Sequence, residues 1–160
     1  MKTNERRIYH GVGELLSDIR GIFSQRKSIR KLMRGNVITP AFRERLMLTV
    51  TGVNQCRYCS YAHSRQALSD GITKEEIDEL TRGMFDGSPQ KEIPALLFAQ
   101  HWAESNGKPE TAIRNKVENI YGSEVMTAIE LTLRMIRVGN LSGNTFDFIL
   151  SKATFGRLGV

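Results

Sequence analysis

Apolar positions recur along most of the chain with a period near 3.6, and no stretch shows the sustained alternation of a half-buried strand. Between about residues 11 and 33, Val12, Leu15, Leu16, Ile19, Ile22 and Phe23 share one helical side. Ile29, Leu32 and Met33 continue it with a looser period, and Gly35-Asn36 ends the helix. Thr39-Pro40 pairs an N-cap residue with proline at the first helical position. The helix it opens carries Phe42, Leu46, Met47, Val50 and Val53 on one side. Its run Leu48-Thr49-Val50-Thr51 also suits a short strand, but the cap and the period favour helix. Gly52 to Asn54 predicts a break. A further helix then starts at Asn54 or Gln55 and runs to about Ser69, before Asp70-Gly71.

Downstream, Thr73-x-x-Glu76 is a capping box for a short helix from Lys74 to Thr81 or Arg82, with Gly83 closing it. Past the Asp86-to-Pro89 loop, a helix over about 91–105 has Pro94 in its first turn. It is expected to bury Ile93, Leu96, Leu97, Ala99, Trp102 and Ala103. Another carries Ile113, Val117 and Ile120. After Gly122-Ser123, Val125, Met126, Ile129, Leu133 and Ile136 define a longer one. Gly139 to Asn144 predicts an interruption, and Phe146, Phe148, Ile149 and Leu150 a last short element over about 144–152. The expected class is all-α, about six to eight helices in a single domain over 1–160, with a basic N-terminal helix over about 11–34.

Charge sharpens that last point. Of the net +6, residues 1–45 alone account for +7, eleven basic side chains against four acids. Such a run is ordinarily the solvated face of an amphipathic helix, and no recognised motif supports a nucleic-acid partner. The opening residues have charge but no apolar core of a signal peptide, and no apolar run approaches the roughly 20 residues of a membrane span. The expectation is a soluble, cytoplasmic protein.

In that compartment the chain's two cysteines stand out, because both fall in Cys56-x-x-Cys59-x-x-x-His63. On a helix Cys59 sits roughly 60° from Cys56 and His63 roughly 20°, so two sulfurs and an imidazole share a stripe. Two thiols one turn apart can close a small disulfide ring, and an imidazole titrating near neutrality can take or hold a thiol proton. Cysteine also serves as core filler. Three such ligands would also begin a zinc site, but no second Cys/His pair exists. The fourth ligand would have to be His10, His101 or a carboxylate. Ser60 after Cys59 excludes c-type haem attachment. Cys56, nearer the helix start, is the sulfur that the helix dipole would acidify.

These residues resemble the AhpD-like alkylhydroperoxidase branch of the carboxymuconolactone decarboxylase family. The resemblance rests on Glu44 twelve positions before Cys56, the Cys56-x-x-Cys59-x-x-x-His63 motif, Gly71 to Leu80 (G-I-T-x-E-E-I-x-x-L) and the A-L-L-F-A helix. It covers roughly 37–140. It implies an AhpD-like all-helical fold, with the CxxC opening a central helix, assembled as a homotrimer or homohexamer. It also implies a thiol-dependent hydroperoxide reductase or disulfide oxidoreductase that needs no cofactor. By the same resemblance Cys59 attacks the peroxide, Cys56 resolves the product, and His63 with Glu44 forms a proton relay. The reductant would be a lipoyl-type or thioredoxin-like dithiol. Where some relatives place a second histidine between the cysteines, this chain has Tyr58, about 200° round from Cys56 and suited to packing or an interface. His101 and Trp102 are expected in core or interface. A decarboxylase acting on a lactone or β-keto-type acid, and a non-catalytic oligomeric redox sensor, are the competing readings.

Overall fold

The computed structural model describes residues 6–158. Among them are eight helices and no strand: α1 (Val12–Phe23), α2 (Arg26–Met33), α3 (Pro40–Asn54), α4 (Arg57–Ser69), α5 (Lys74–Arg82), α6 (Ile93–Glu104), α7 (Thr111–Tyr121) and α8 (Ser123–Ala153). None is long and apolar enough to cross a membrane.

The architecture is arranged about α3, which packs against α4, α5, α6 and α8. Leu46, Leu48 and Val50 have no exposure at all, so this helix is enclosed on every side. That enclosure explains the β-branched run: Thr49 and Thr51 are buried too, and their hydroxyls need partners. Thr49 Oγ1 donates to the Arg45 carbonyl at 2.9 Å. Thr51 Oγ1 lies 3.2 Å from the side-chain amide of Asn140 on α8. The helix is entered through Thr39, whose hydroxyl accepts from the Phe42 N–H, with Pro40 following. Thr73 caps α5 in the same way, by accepting from the Glu76 N–H.

Arg45 turns a bidentate fork on Glu76 and also reaches Glu92, at 2.7, 3.3 and 3.2 Å, while the Ser88 hydroxyl donates to Glu76. This buried group ties α3, α5 and the start of α6 together. On the other side of the molecule, Arg137 of α8 holds Glu14 and Asp18 of α1 at 2.7 and 2.8 Å and Asn106 at 2.6 Å.

Three sequence expectations are corrected. The N-terminal helix is two helices: Gln25 leaves helical geometry at φ −108°, ψ 24°, and the Ser24 hydroxyl folds back on the Gly21 carbonyl. The change of axis brings Leu32 into the core, which explains why the period loosened after Phe23. Val12, Leu16 and Phe23 stay outside it, Val12 and Phe23 at 73% and 69% exposure. In α6, Leu97 points outward and Phe98 inward. The largest correction concerns α8, which runs unbroken for 31 residues through Gly139–Asn144. Two glycines inside a helix each cost roughly 1 kcal/mol relative to alanine, so something specific must offset them.

Gly52 shows the same trade at a place where the reason is plain. A Cβ there would lie 2.3 Å from the Thr81 carbonyl oxygen of α5, so α3 and α5 touch backbone to backbone. Gly52→Ala should lower stability by about 1–3 kcal/mol despite alanine's better helix propensity. A denaturant midpoint equal to or above wild type would contradict this contact.

Candidate active site at the start of the fourth helix

The chain reverses between α3 and α4 in a single left-handed step. Gln55 adopts φ 59°, ψ 42°, and its N–H bonds back to the Thr51 carbonyl. Asn144 of α8 pins this turn: its side-chain amide donates to the Asn54 carbonyl at 2.7 Å and to the Arg7 carbonyl at 2.9 Å. Cys56 is therefore the N-cap of α4, extended at φ −87°, ψ 104°, and not a first-turn residue. Its sulfur still ends beside Cys59, because an N-cap side chain folds over the first turn to accept its free N–H groups. Cys59 N–H donates to Cys56 Sγ at 3.4 Å, and the two free thiols stand with their Sγ atoms 2.6 Å apart.

The two sulfurs are not equivalent. Cys56 is almost wholly buried, while Cys59 is part exposed. The Cys56 thiol is lowered to about 7, chiefly by the hydrogen bond from the Cys59 thiol, with the Cys59 and Tyr58 N–H groups assisting against burial and the charge of Asp147. Cys59 is pushed up, first by that same hydrogen bond to Cys56, then by burial and by the Cys56 charge. The pair thus gives up its first proton readily and holds the second hard, as two interacting sites sharing one proton must.

His63 follows Cys59 by one turn on α4. Its Nδ1 lies 2.7 Å from Oε2 of Glu44, which is 2% exposed in the second turn of α3. Arg43 Nε donates to the other oxygen at 3.5 Å. The structure therefore brings Glu44 to His63, and Cys56 to Cys59, as two pairs on neighbouring turns.

Sequence reasoning missed the wall opposite. A Cβ on Gly143 would lie 3.2 Å from Cys56 Sγ, and one on Gly139 would lie 4.0 Å from Cys59 Sγ. The supposed interruption is a helix whose bare backbone faces the dithiol, with Asn140 and Asn144 turned to α3 and its exit. The repeated Gly-Asn at i and i+4 (Gly139-Asn140, Gly143-Asn144) was the available signal. Tyr58 packs on the same wall, its hydroxyl donating to Asp147 Oδ1 at 2.8 Å.

Trp102 is core, as expected. His101 Nε2 accepts from the Glu110 N–H at 3.4 Å, and the His10 N–H donates to Glu14 at 3.4 Å. Among the described residues no three His, Cys, Asp or Glu side chains are grouped to hold a metal ion.

Ionisation of the pair is directly measurable. Alkylation of Cys56, followed by pH and located by peptide mass spectrometry, should have its midpoint near pH 7 and not near the ordinary 9.0. An unshifted midpoint would remove the inequivalence described above. Gly143→Ala should also slow closure of the disulfide several-fold, whereas Gly139→Ala, at an ordinary contact distance, should not. Equal rates would show that α8 does not constrain the sulfurs.

The model of the carboxymuconolactone decarboxylase family matches residues 26–104, a span that holds Glu44, Cys56, Cys59 and His63 but none of α8. No curated protein and no solved structure matches the chain.

Proposed function

Because residues 26–104 belong to the carboxymuconolactone decarboxylase family, which includes AhpD-like proteins, we propose that the chain is a thiol-dependent hydroperoxide reductase of the AhpD-like kind. The observation that carries the reading is the pair of unequal thiols 2.6 Å apart, one helical turn before an imidazole oriented by a buried carboxylate.

Cys59 is the attacking sulfur, because it is the accessible one. Its proton has a short route, since ionised Cys56 lies in contact and can receive it, leaving the charge on Cys59. The Cys59 thiolate then attacks the distal peroxide oxygen and displaces the alkoxide. The O–O bond breaks, Cys59 becomes a sulfenic acid, and the departing alkoxide leaves as an alcohol by taking, through His63 Nε2, the proton that Cys56 gave up on ionising. Cys56 attacks the sulfenic sulfur and releases water, closing the disulfide before further oxidation. A dithiol of the lipoyl or thioredoxin-like kind restores both thiols by exchange and carries away the two electrons. Glu44 keeps the imidazole turned so that Nε2 is free for proton exchange, assistance worth typically ~10²–10⁴ in rate.

The working unit on this reading is a cytoplasmic homotrimer or homohexamer. Apolar side chains left outside the core on α1 and α8, among them Val12, Leu16, Phe146 and Ile149, favour self-association.

Peroxide consumption under excess dihydrolipoamide tests the reading. Wild type should turn over, Cys59→Ser and Cys56→Ser should not, and His63→Ala should lose about 10²–10⁴ in kcat/KM. Full turnover in either cysteine variant would defeat it. The family's name favours one alternative, decarboxylation by the Glu44–His63 pair alone, and decarboxylation that persists after both thiols are alkylated would establish that instead.

A further inference from the structure

Asp147 is an aspartate on α8, 1% exposed, outside the family match and unused by the steps above. Its Oδ1 accepts from the Tyr58 hydroxyl at 2.8 Å and from Arg57 at 3.2 Å. Its Oδ2 meets Arg57 Nε at 3.2 Å and Arg6 at 3.4 Å. Arg57 and Tyr58 are the two residues between the cysteines. One buried carboxylate thus holds the whole insert of the CxxC motif against α8, and draws the N-terminal segment onto it through Arg6.

We propose that Asp147 is a positioning residue for the dithiol, fixing Arg57 and Tyr58 and setting the balance of charge that Cys56 faces. The inference rests on Cys56 and Cys59 forming a working dithiol.

The groups around Cys56 make the argument specific. From its own helix it faces Arg57, Tyr58 and Cys59, from α8 Asp147, and from the N-terminal segment Arg6. Arg7 is turned away to the Ala103 and Glu104 carbonyls of α6. The one carboxylate of α3 nearby, Glu44, is engaged with His63. Arg6, Arg57 and Cys56 also border a cavity of about 310 Å³, with Thr51, Gln55, Ser60 and Thr81 as its uncharged polar walls. Two guanidiniums lining the same cavity as the thiol favour its ionisation by charge. Asp147 between them cancels one charge and opposes the thiolate itself. The same side chain therefore does two jobs that substitutions can separate: it orders the insert by hydrogen bonds and it restrains ionisation by charge.

The experiment reads the alkylation midpoint of Cys56 at low ionic strength, residue by residue, together with the rate of disulfide closure. Asp147→Asn keeps the shape and removes the charge, so the midpoint should fall by roughly 0.5–1 pH unit. Arg57→Gln should move it the other way, by less, because Arg57 is half exposed and screened by water. Tyr58→Phe should leave the midpoint in place but slow disulfide closure several-fold. Midpoints that do not move in Asp147→Asn and Arg57→Gln, or that move together, overturn the proposal. Should Asp147→Asn fail to fold, Arg57→Gln and Arg6→Gln carry the test, both expected to raise the midpoint, and a midpoint that stays or falls in either overturns the proposal. Alkylation needs no peroxide, so a failed turnover assay and a failed midpoint shift remain separate results.

Discussion

A carboxylate taken out of water must be given donors, and Glu44 is taken out almost completely. It sits on the helix that every neighbouring element covers, where there is no solvent to turn to. Its donors are therefore dictated by what packs there: His63 from α4 at 2.7 Å and, more weakly, Arg43 beside it. The bond fixes the imidazole, and with it the rotation of α4 about its axis. Since both cysteines belong to that helix or its cap, the placement of the sulfurs follows from the burial of one glutamate. Core packing and candidate chemistry are, at this point, the same constraint.

The helices from α3 to α7 were legible because their ends are written locally. Thr39-Pro40, Thr73-x-x-Glu76 and Gly83 act through bonds within a few residues, and those bonds are present. Glu44, Cys56, Cys59 and His63 were legible for a similar reason, since fixed spacing on a helix places side chains without knowledge of the rest. What could not be read depends on distant partners. The split at Ser24–Gln25 exists because Leu32 finds room in the core. The unbroken α8 exists because two sulfurs and the exit of α3 lie against Gly139–Asn144. Local propensity counts glycine and asparagine as breakers, and it is right about their cost; the offset comes from residues about eighty to ninety positions away.

That division coincides with the limits of the family match. Residues 26–104 hold Glu44, Cys56, Cys59 and His63, whereas the surface facing the two sulfurs is built by α8. Gly143 allows the backbone to approach Cys56, Asn144 holds the turn before it, and Asp147 holds the two residues after it. The three lie along little more than one helical turn. The matched span therefore carries the candidate groups, and a helix outside it sets how closely they are held and in what field.

The field matters because the dithiol ionises as a unit. Helix-dipole reasoning named Cys56 as the more acidic sulfur, and the structure agrees, chiefly through the hydrogen bond from the Cys59 thiol and secondarily through the Cys59 and Tyr58 N–H groups. The family resemblance named Cys59 as the attacking one. These statements conflict only if acidity and attack must belong to one atom. With the sulfurs in contact, the charge can be stored on the buried atom, where hydrogen bonds hold it, and passed to the exposed atom that a substrate can reach. The transfer costs the difference between the two sites' proton affinities. Lowering Cys56 further would raise that cost, because the proton would then be held less willingly by the sulfur that has to accept it. A buried aspartate that restrains the ionisation of Cys56 is, on this argument, favourable to attack by Cys59.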